Sequence, residues 1–238
     1  LVVSVRDTYF EDVIPERPET SCSATIIEHK GFKGLEYEAV RQFCIAYELN
    51  LPNVPILTPE FCNPLFLKIV CDTLEISGEK DFPKGFNDVS ALFNQYFKNL
   101  DQKFSEKRPE YKYRNVASTS VRLLAIPVFE AKYNLLKKQD ADSILQKHFP
   151  ACPTLLADLI DNNVLLKTKS QAREENEDCV VFCYQRISDF IIARVLVQQY
   201  QNWESFARVI NTNSVLRAIF VESHWSCKGI LEALAILI

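Results

Sequence analysis

Glycine is scarce in this chain, with five residues in 238, and no glycine-rich catalytic motif is present. Gly31 and Gly34 have neither the spacing nor the following Lys-Ser/Thr pair with which a phosphate-binding loop wraps phosphates and holds magnesium. The GxGxxG, GxSxG and HExxH patterns are also missing. The histidines, His29, His148 and His224, stand far apart without obvious Cys or Asp partners. We therefore predict that this chain alone does not hydrolyse ATP, and nothing in it supports a catalytic triad.

An excess of basic residues is lacking too. The 27 Lys and Arg residues are outnumbered by 31 Asp and Glu residues, which gives a net charge of -4 and a pI near 5.5. Domains that bind nucleic acids normally carry a clustered excess of Lys and Arg. The composition therefore gives no general signature of nucleic-acid binding, and such a role would require a local basic patch.

Long apolar runs are missing as well. No run of about 18 apolar residues exists, which argues against a membrane span, and residues 1–5 lack the long core of a signal peptide. The cysteines mostly lie inside apolar runs, without the paired close spacings of a zinc site. We predict a cytoplasmic protein with no membrane partner and with buried, reduced, structural cysteines. The eight cysteines are Cys22, Cys44, Cys62, Cys71, Cys152, Cys179, Cys183 and Cys227.

Methionine is absent altogether, including at the first position, and the chain stops inside an apolar helical pattern at residues 231–238. An exposed apolar helix end is a liability for a soluble protein. We interpret both ends as cuts in a longer protein.

The first residues predict a piece of a parallel sheet. Residues 1–5 form a short β-branched run, typical of a strand buried on both faces, which ends at Arg6. Ligands of open α/β sheets bind at the carboxyl ends of the strands, so Arg6 is well placed for function. A second short strand is predicted over residues 24–28. The alternative role of Arg6 is a salt bridge to Asp7 or Asp12.

Helical patterns dominate the rest of the first half. Apolar spacing predicts helices over residues 35–49, 64–74, 88–103 and 115–133, with a proline-rich connection before the second. Asn63 and Pro64 fit a helix start, since Asn is a favoured cap and Pro a favoured first residue. Residues 103–114 alternate basic and aromatic side chains, a pattern suited to phosphate contact and base stacking. Acidic residues dilute it, so we favour a solvated loop between helices.

Residues 140–200 predict a winged helix. The pattern gives helices over 140–148 and 153–162, strands over 164–168 and 178–184, a polar wing tip between them, and a helix over 188–200. Ser188 or Asp189 is a candidate amino-terminal cap of the last helix, and Asp189 is alternatively a partner of Arg186. Helix pairs follow from residue 203, with Gly229 marking a break before the final helix.

Several stretches resemble STAND NTPases with NACHT-like modules, most closely the Avs antiviral ATPases of bacteria. They are LVVSVRD at residues 1–7, GFKGLEYEAVRQFCIAYEL at 31–49, LTPEFCNPLFLKIVCDTL at 57–74, FCYQRISDFIIARVL at 182–196 and GILEALAILI at 229–238. The NPLFL segment is the most specific of these. The order and spacing of the matches also follow the family's order, and together they span nearly the whole chain.

The resemblance implies a nucleotide site for ATP or ADP, with Mg²⁺ in the full-length protein. Arg6 would read the terminal phosphate, and Asn63 with Pro64 would shape the adenine and ribose pocket. Many relatives have His where this chain has Tyr184, and that His contacts the β-phosphate of ADP. Tyr184 donates one hydrogen bond but carries no positive charge, which leaves Arg186 as the nearby cation for phosphate.

The implied architecture is mainly α with small β elements. Residues 1–30 would be the end of an α/β P-loop ATPase core, 31–77 a helical lid, 88–200 a winged-helix domain and 201–238 the start of a helical sensor region. The expected partners are the missing amino-terminal ATPase core and effector domain, other copies of the protein on activation, and a phage protein as trigger at the sensor.

Two other functions stay open. One is a DNA-binding winged-helix regulator, in which residues 153–162 would be the recognition helix; this segment has two Asp and no Lys or Arg, so DNA binding is not expected. The other is a protein-interaction scaffold that has lost nucleotide binding.

Overall fold

The structure, a computed structural model, describes residues 27, 31–52, 59–82, 86–112, 114–131, 134–169, 177–200, 203–210, 212–221 and 227–237. Within these ranges the chain is mainly helical with one small antiparallel sheet. This agrees with the coarse fold class expected from the sequence. The strand predicted over residues 1–5, Arg6, and the strand predicted over 24–28 apart from Ile27 lie outside the described residues.

The helices of the first half follow the predicted apolar periodicity. They are α1 (Glu36–Ala46), α2 (Pro64–Ser77), α3 (Phe86–Lys107) and α4 (Val116–Glu130), with 3₁₀ turns at Pro59–Cys62 and Pro109–Tyr111. Helix α1 ends before the predicted residue 49, because Glu48 adopts a left-handed φ of 52° and Leu49 N–H reaches back to the carbonyl of Cys44 at 2.9 Å. Helix α2 ends at Gly78, whose φ of 71° favours glycine.

Helix α4 is capped from another helix. Asn115 before it has a φ of 46° and makes no side-chain cap. Asp101 of α3 accepts hydrogen bonds from the backbone N–H of Ala117 at 2.7 Å and of Ser118 at 3.2 Å, and also from the Ser118 hydroxyl. A carboxylate at a helix amino terminus satisfies otherwise unpaired N–H groups and complements the helix dipole. The capping interaction therefore also fixes α3 against α4.

The sheet has the strand order β1-β3-β2. Its strands are β1 (Leu136–Lys137), β2 (Leu165–Lys169) and β3 (Asp178–Phe182), and helices α5 (Lys138–His148) and α6 (Leu155–Asp161) lie between β1 and β2 in the chain. Both pairings are antiparallel, with Leu165 opposite Phe182 and Leu136 opposite Val180. The two predicted helices and the hairpin of the 140–200 segment are confirmed, whereas β1 was not predicted because two residues carry no alternating pattern.

The last helices are α7 (Gln185–Tyr200), α8 (Trp203–Val209), α9 (Ser214–Phe220) and α10 (Lys228–Leu237). The capping role predicted for Ser188 or Asp189 is wrong, because α7 begins three residues earlier and both side chains are buried inside it. The break predicted at Gly229 is also wrong, since Gly229 lies in the first turn of α10. Helix α10 packs along α7, the most extensive contact between two helices of the described chain.

One connected apolar cluster runs through the described helices. It includes Val40 of α1, Phe66 of α2, Leu124 of α4, Leu196 of α7 and Ile230 of α10, all close to fully buried. The described helices include none that is both long and apolar enough to cross a membrane.

Candidate functional site

Asn63 and Pro64 begin α2 as the sequence predicted. Asn63 has an extended backbone, and its Oδ1 accepts hydrogen bonds from the N–H of Leu65 at 2.9 Å and of Phe66 at 3.2 Å. Pro64 occupies the first helical position, where the missing N–H costs nothing. The capping role is therefore confirmed, and the adenine-pocket role of the two residues stays a prediction.

The segment that opens the predicted lid lies against this helix start. Phe32 N–H donates to the carbonyl of Cys62 at 2.7 Å. Gly31 has a φ of 66°, and a Cβ placed on it would lie 2.5 Å from the Cys62 carbonyl oxygen. Only glycine allows this approach. Two stretches that are separate in the sequence, at residue 31 and at residue 62, thus meet at the amino end of α2.

Tyr184 joins the same place from the far end of the chain. It lies between β3 and α7, and its ring packs on Phe66 with 5.5 Å between centroids. Phe66 is fully buried and also contacts Phe61 at 5.1 Å and Phe93 at 6.0 Å. Phe66 is therefore the residue through which the Asn63 cap and Tyr184 are brought together.

The aromatic contacts continue into the helical core. Phe93 of α3 packs on Phe190 of α7 with 5.5 Å between centroids. Tyr184, Phe66, Phe93 and Phe190 thus form a continuous row of rings, which we call the aromatic row. Offset and edge-on pairs of this kind add stability beyond their buried area. The row ties α2, α3 and α7 together beneath the candidate site.

Arg186 lies two residues beyond Tyr184 but is directed at α10. Its Nη2 lies 2.6 Å from Glu232 Oε2, and its Nη1 donates to the carbonyl of Gly229 at 3.4 Å. The side chain is 17% exposed, so the ion pair is partly shielded from water. In this structure the guanidinium therefore stabilises the docking of α10 rather than adding charge beside Tyr184.

Asp189 is buried one turn further along α7, with 6% of its surface exposed. Burial raises the pKa of its carboxyl to about 7; Arg186 lowers the pKa and Glu232 raises it further. A Cβ on Gly229 would overlap Asp189 Oδ2 and lie 3.1 Å from Arg186 Nη1. The close approach of α10 to α7 therefore requires glycine at position 229.

The predicted site residues divide into three groups. Asn63, Pro64 and Tyr184 are brought together around Phe66, Arg186 turns to α10, and Arg6 lies outside the described residues. Sequence analysis missed Phe66 as the connecting residue and Glu232 as the partner of Arg186. The apolar character of NPLFL was the only sequence signal for Phe66, and it does not identify a contact with residue 184.

The basic and aromatic segment is not simply a solvated loop. Tyr111 is 1% exposed and donates to Asp158 Oδ2 of α6 at 2.6 Å. Arg108 Nε lies 2.8 Å and Lys107 Nζ 3.4 Å from the same carboxylate. Burial raises the pKa of Asp158, but the hydrogen bonds from Tyr111 and Arg108 outweigh it and hold that pKa below its usual value. Part of the basic segment thus neutralises a buried acid.

The described cysteines form no disulfide, and Cys62 and Cys183 are half-buried while the others are buried. No cluster of three or more His, Cys, Asp or Glu side chains suited to a metal ion occurs in the described ranges. Cys62 and Cys183 directly precede Asn63 and Tyr184 in the chain.

Comparison with protein-family models, curated proteins and solved structures finds no match to this chain.

Proposed function

We propose that this chain is the nucleotide-state-sensing part of a STAND-type ATPase of antiviral defence, located in the cytoplasm. The observation that carries the proposal is that the segment at Gly31 meets the Asn63 cap at the start of α2, the helix whose Phe66 packs on Tyr184. These are the stretches in which the family resemblance is found. Their assembly at one place supports the proposal that they face one ligand.

The element order supports a winged helix within this proposal. Helix α4, strand β1, helices α5 and α6, and the hairpin of β2 and β3 follow one another, with β1 added beside β3. A short first strand paired to the last strand of the hairpin is the arrangement expected of a winged helix. In this scheme α1 and α2 are the lid, and α8 to α10 begin the sensor region.

The nucleotide would be held mainly by an ATPase core preceding the lid, which supplies the phosphate-binding loop, Mg²⁺ and the hydrolytic chemistry. From this chain, Arg6 would contact the terminal phosphate, Asn63 and Pro64 would border the base, and the Tyr184 hydroxyl would donate to a phosphate. The described residues fit this role only in part, since Phe66 is fully buried and Arg186 is paired with Glu232.

This pairing gives the proposed switch its physical form. The N–H groups that Arg186 directs at Glu232 and at the Gly229 carbonyl are not available to a phosphate while α10 is docked. A nucleotide phosphate and α10 would therefore compete for the Arg186 guanidinium, and a ligand favours whichever state it binds more tightly. By family analogy the open state forms a homo-oligomer that activates an effector domain after a phage protein binds the sensor.

The DNA-binding alternative is not favoured. Asp158 lies inside α6, the helix that would enter the major groove, and Lys107 and Arg108 are directed at it rather than outward. A recognition helix instead offers Lys, Arg or amide side chains to DNA.

The test is the nucleotide content of the full-length protein, released by denaturation and identified by chromatography. We expect one ADP or ATP per chain in the wild type and less in Arg6→Ala and Arg186→Ala. Arg208→Ala is the control, because Arg208 on α8 is 80% exposed and lies outside the site. Glu232→Gln separates the two roles of Arg186, since it removes the ion pair but keeps the guanidinium, and it is expected to retain the nucleotide.

A wild-type protein that carries no nucleotide and does not bind added ATP would contradict the proposal. Such a result would favour the scaffold or DNA-binding functions. Equal nucleotide loss in Arg186→Ala and Glu232→Gln would show that α10 docking, and not the charge of Arg186, supports the site.

A further inference from the structure

A cleft of about 700 Å³ opens between α3, α4 and α7. This volume lies within the range of small-molecule sites. The residues that line the cleft do not include Asn63, Phe66, Tyr184 or Arg186, so it is separate from the candidate nucleotide site. The proposed function assigns nothing to it.

The charged side chains that line the cleft are mostly cationic. Lys98 of α3, Lys112, Arg122 of α4 and Arg194 of α7 line it, against the single acidic side chain of Asp101. The carboxylate of Asp101 is occupied in capping α4, as described above. A local excess of positive charge in a chain of net charge -4 focuses anions into a concave site.

Arg194 is the least exposed of these cations. It is half-buried, and no acidic side chain among the described residues lies within ion-pair distance of it. Burial and the nearby Arg122 lower its pKa. A half-buried guanidinium beside another guanidinium destabilises the empty cleft, and an anion between the two would relieve that repulsion.

Uncharged polar and apolar side chains make up the rest of the lining. Phe97, Val121, Phe190 and Ile191 supply the apolar surface. Asn94 also lines the cleft, and its Oδ1 is buried with no hydrogen-bond partner in the described structure. A ligand with a charged end and an apolar or planar body fits both surfaces.

We propose that this cleft binds a small phosphate monoester, with its phosphate between Arg122 and Arg194 and its organic part on Phe97 and Phe190. Arg and phosphate form paired hydrogen bonds, and a dianion matches two guanidinium groups better than a monoanion does. Lys98 adds charge at the rim.

The test is isothermal titration calorimetry of the protein with phenyl phosphate, inorganic phosphate and benzoate at about 0.15 M salt, where long-range attraction is screened. We expect saturable binding of phenyl phosphate at one site per chain. Inorganic phosphate lacks the apolar body and benzoate lacks the second charge, so both should bind more weakly. Arg122→Gln and Arg194→Gln should each weaken phenyl phosphate binding by roughly tenfold or more.

Arg208→Gln is the matched control and should leave binding unchanged. Thermal unfolding of the cleft variants checks their folding, and a melting temperature equal to or above that of the wild type is expected because each change removes like-charge repulsion. Equal binding by the wild type and Arg122→Gln/Arg194→Gln would overturn the proposal, as would benzoate binding as tight as phenyl phosphate. Nucleotide content of the full-length protein should be unaffected by these variants, which keeps this test independent of the proposed nucleotide switch.

Discussion

At the scale of single residues, Asp158 is a buried carboxylate with several polar partners. It accepts from Tyr111 and is neutralised by Arg108 and Lys107, although these partners belong to a different part of the sequence. A buried charge is tolerated only when it is paired and hydrogen-bonded. The network therefore joins α6 to the turn that follows α3.

Tyr111→Phe should lower the free energy of unfolding by about 2 kcal/mol, because it removes a hydrogen bond to a buried charged group. Urea denaturation measures the change. Tyr96→Phe is the control, since the Tyr96 hydroxyl has no hydrogen bond within the described structure, and a change below about 0.5 kcal/mol is expected. Equal effects of the two substitutions would mean that the hydroxyl of Tyr111 contributes nothing specific.

At the scale of elements, helices α2 and α4 are capped at their amino ends in different ways. Helix α2 uses its own Asn63, whereas α4 uses Asp101 from α3. The local cap of α2 is visible in the sequence as Asn-Pro before an apolar run. The cap of α4 by Asp101 is not visible in the sequence, because it depends on how α3 and α4 pack together.

Asn63→Ala should lower the free energy of unfolding by about 1 kcal/mol, the usual effect of losing a helix cap. Asn63→Ser should restore most of the loss, since the serine hydroxyl accepts the same N–H groups. The change is read from the urea midpoint at constant slope. If Ser fails to restore stability, Asn63 acts through something other than capping. Nucleotide content measured in parallel shows whether the amide has a second role.

The same distinction explains what the sequence can predict here. Helices α2 and α6 and the β2–β3 hairpin follow from apolar spacing, which is a local property. Strand β1 was too short to detect. The capping prediction for Ser188 and Asp189 was wrong because α7 already begins at Gln185, soon after β3 ends at Phe182. The contacts of Phe66 with Tyr184 and of Arg186 with Glu232 join distant segments, and no spacing rule identifies them.

At the scale of the whole molecule, α7 connects the sheet to the final helix. Tyr184 directly precedes α7, and Arg186 lies in its first turn. The buried Asp189 of α7 faces Gly229 of α10. Movement of α10 therefore changes the environment of Arg186 and of Asp189. The ionisation of Asp189 should in turn affect how firmly α10 is held.

Asp189 makes the stability of the fold depend on pH. Burial raises the pKa of Asp189 to about 7 in the folded chain. Between about pH 4 and pH 7 the carboxyl is therefore protonated in the folded state and ionised in the unfolded state. The contribution of Asp189 to stability therefore falls as pH rises through this window, by up to roughly 4 kcal/mol. Urea denaturation across this pH range, compared with Asp189→Asn, isolates the effect.

In the Asn variant this pH-dependent loss should vanish, so its stability relative to the wild type should rise with pH and level off above pH 7. Asp178→Asn is the control. The Lys167 ion pair lowers the pKa of Asp178, so its contribution has the opposite sign and is lost as pH falls. A constant difference between wild type and Asp189→Asn across the range would refute a raised pKa.

The position of the two half-buried thiols has a practical consequence. Cys62 lies just before the start of α2 and Cys183 just before Tyr184, and the other described cysteines are buried. With Cys22, which lies outside the described residues, replaced by serine, these two natural thiols become attachment points for a pair of fluorescent or spin labels. The separation of the labels would report in solution on how far the start of α2 moves from the start of α7, without any cysteine being introduced.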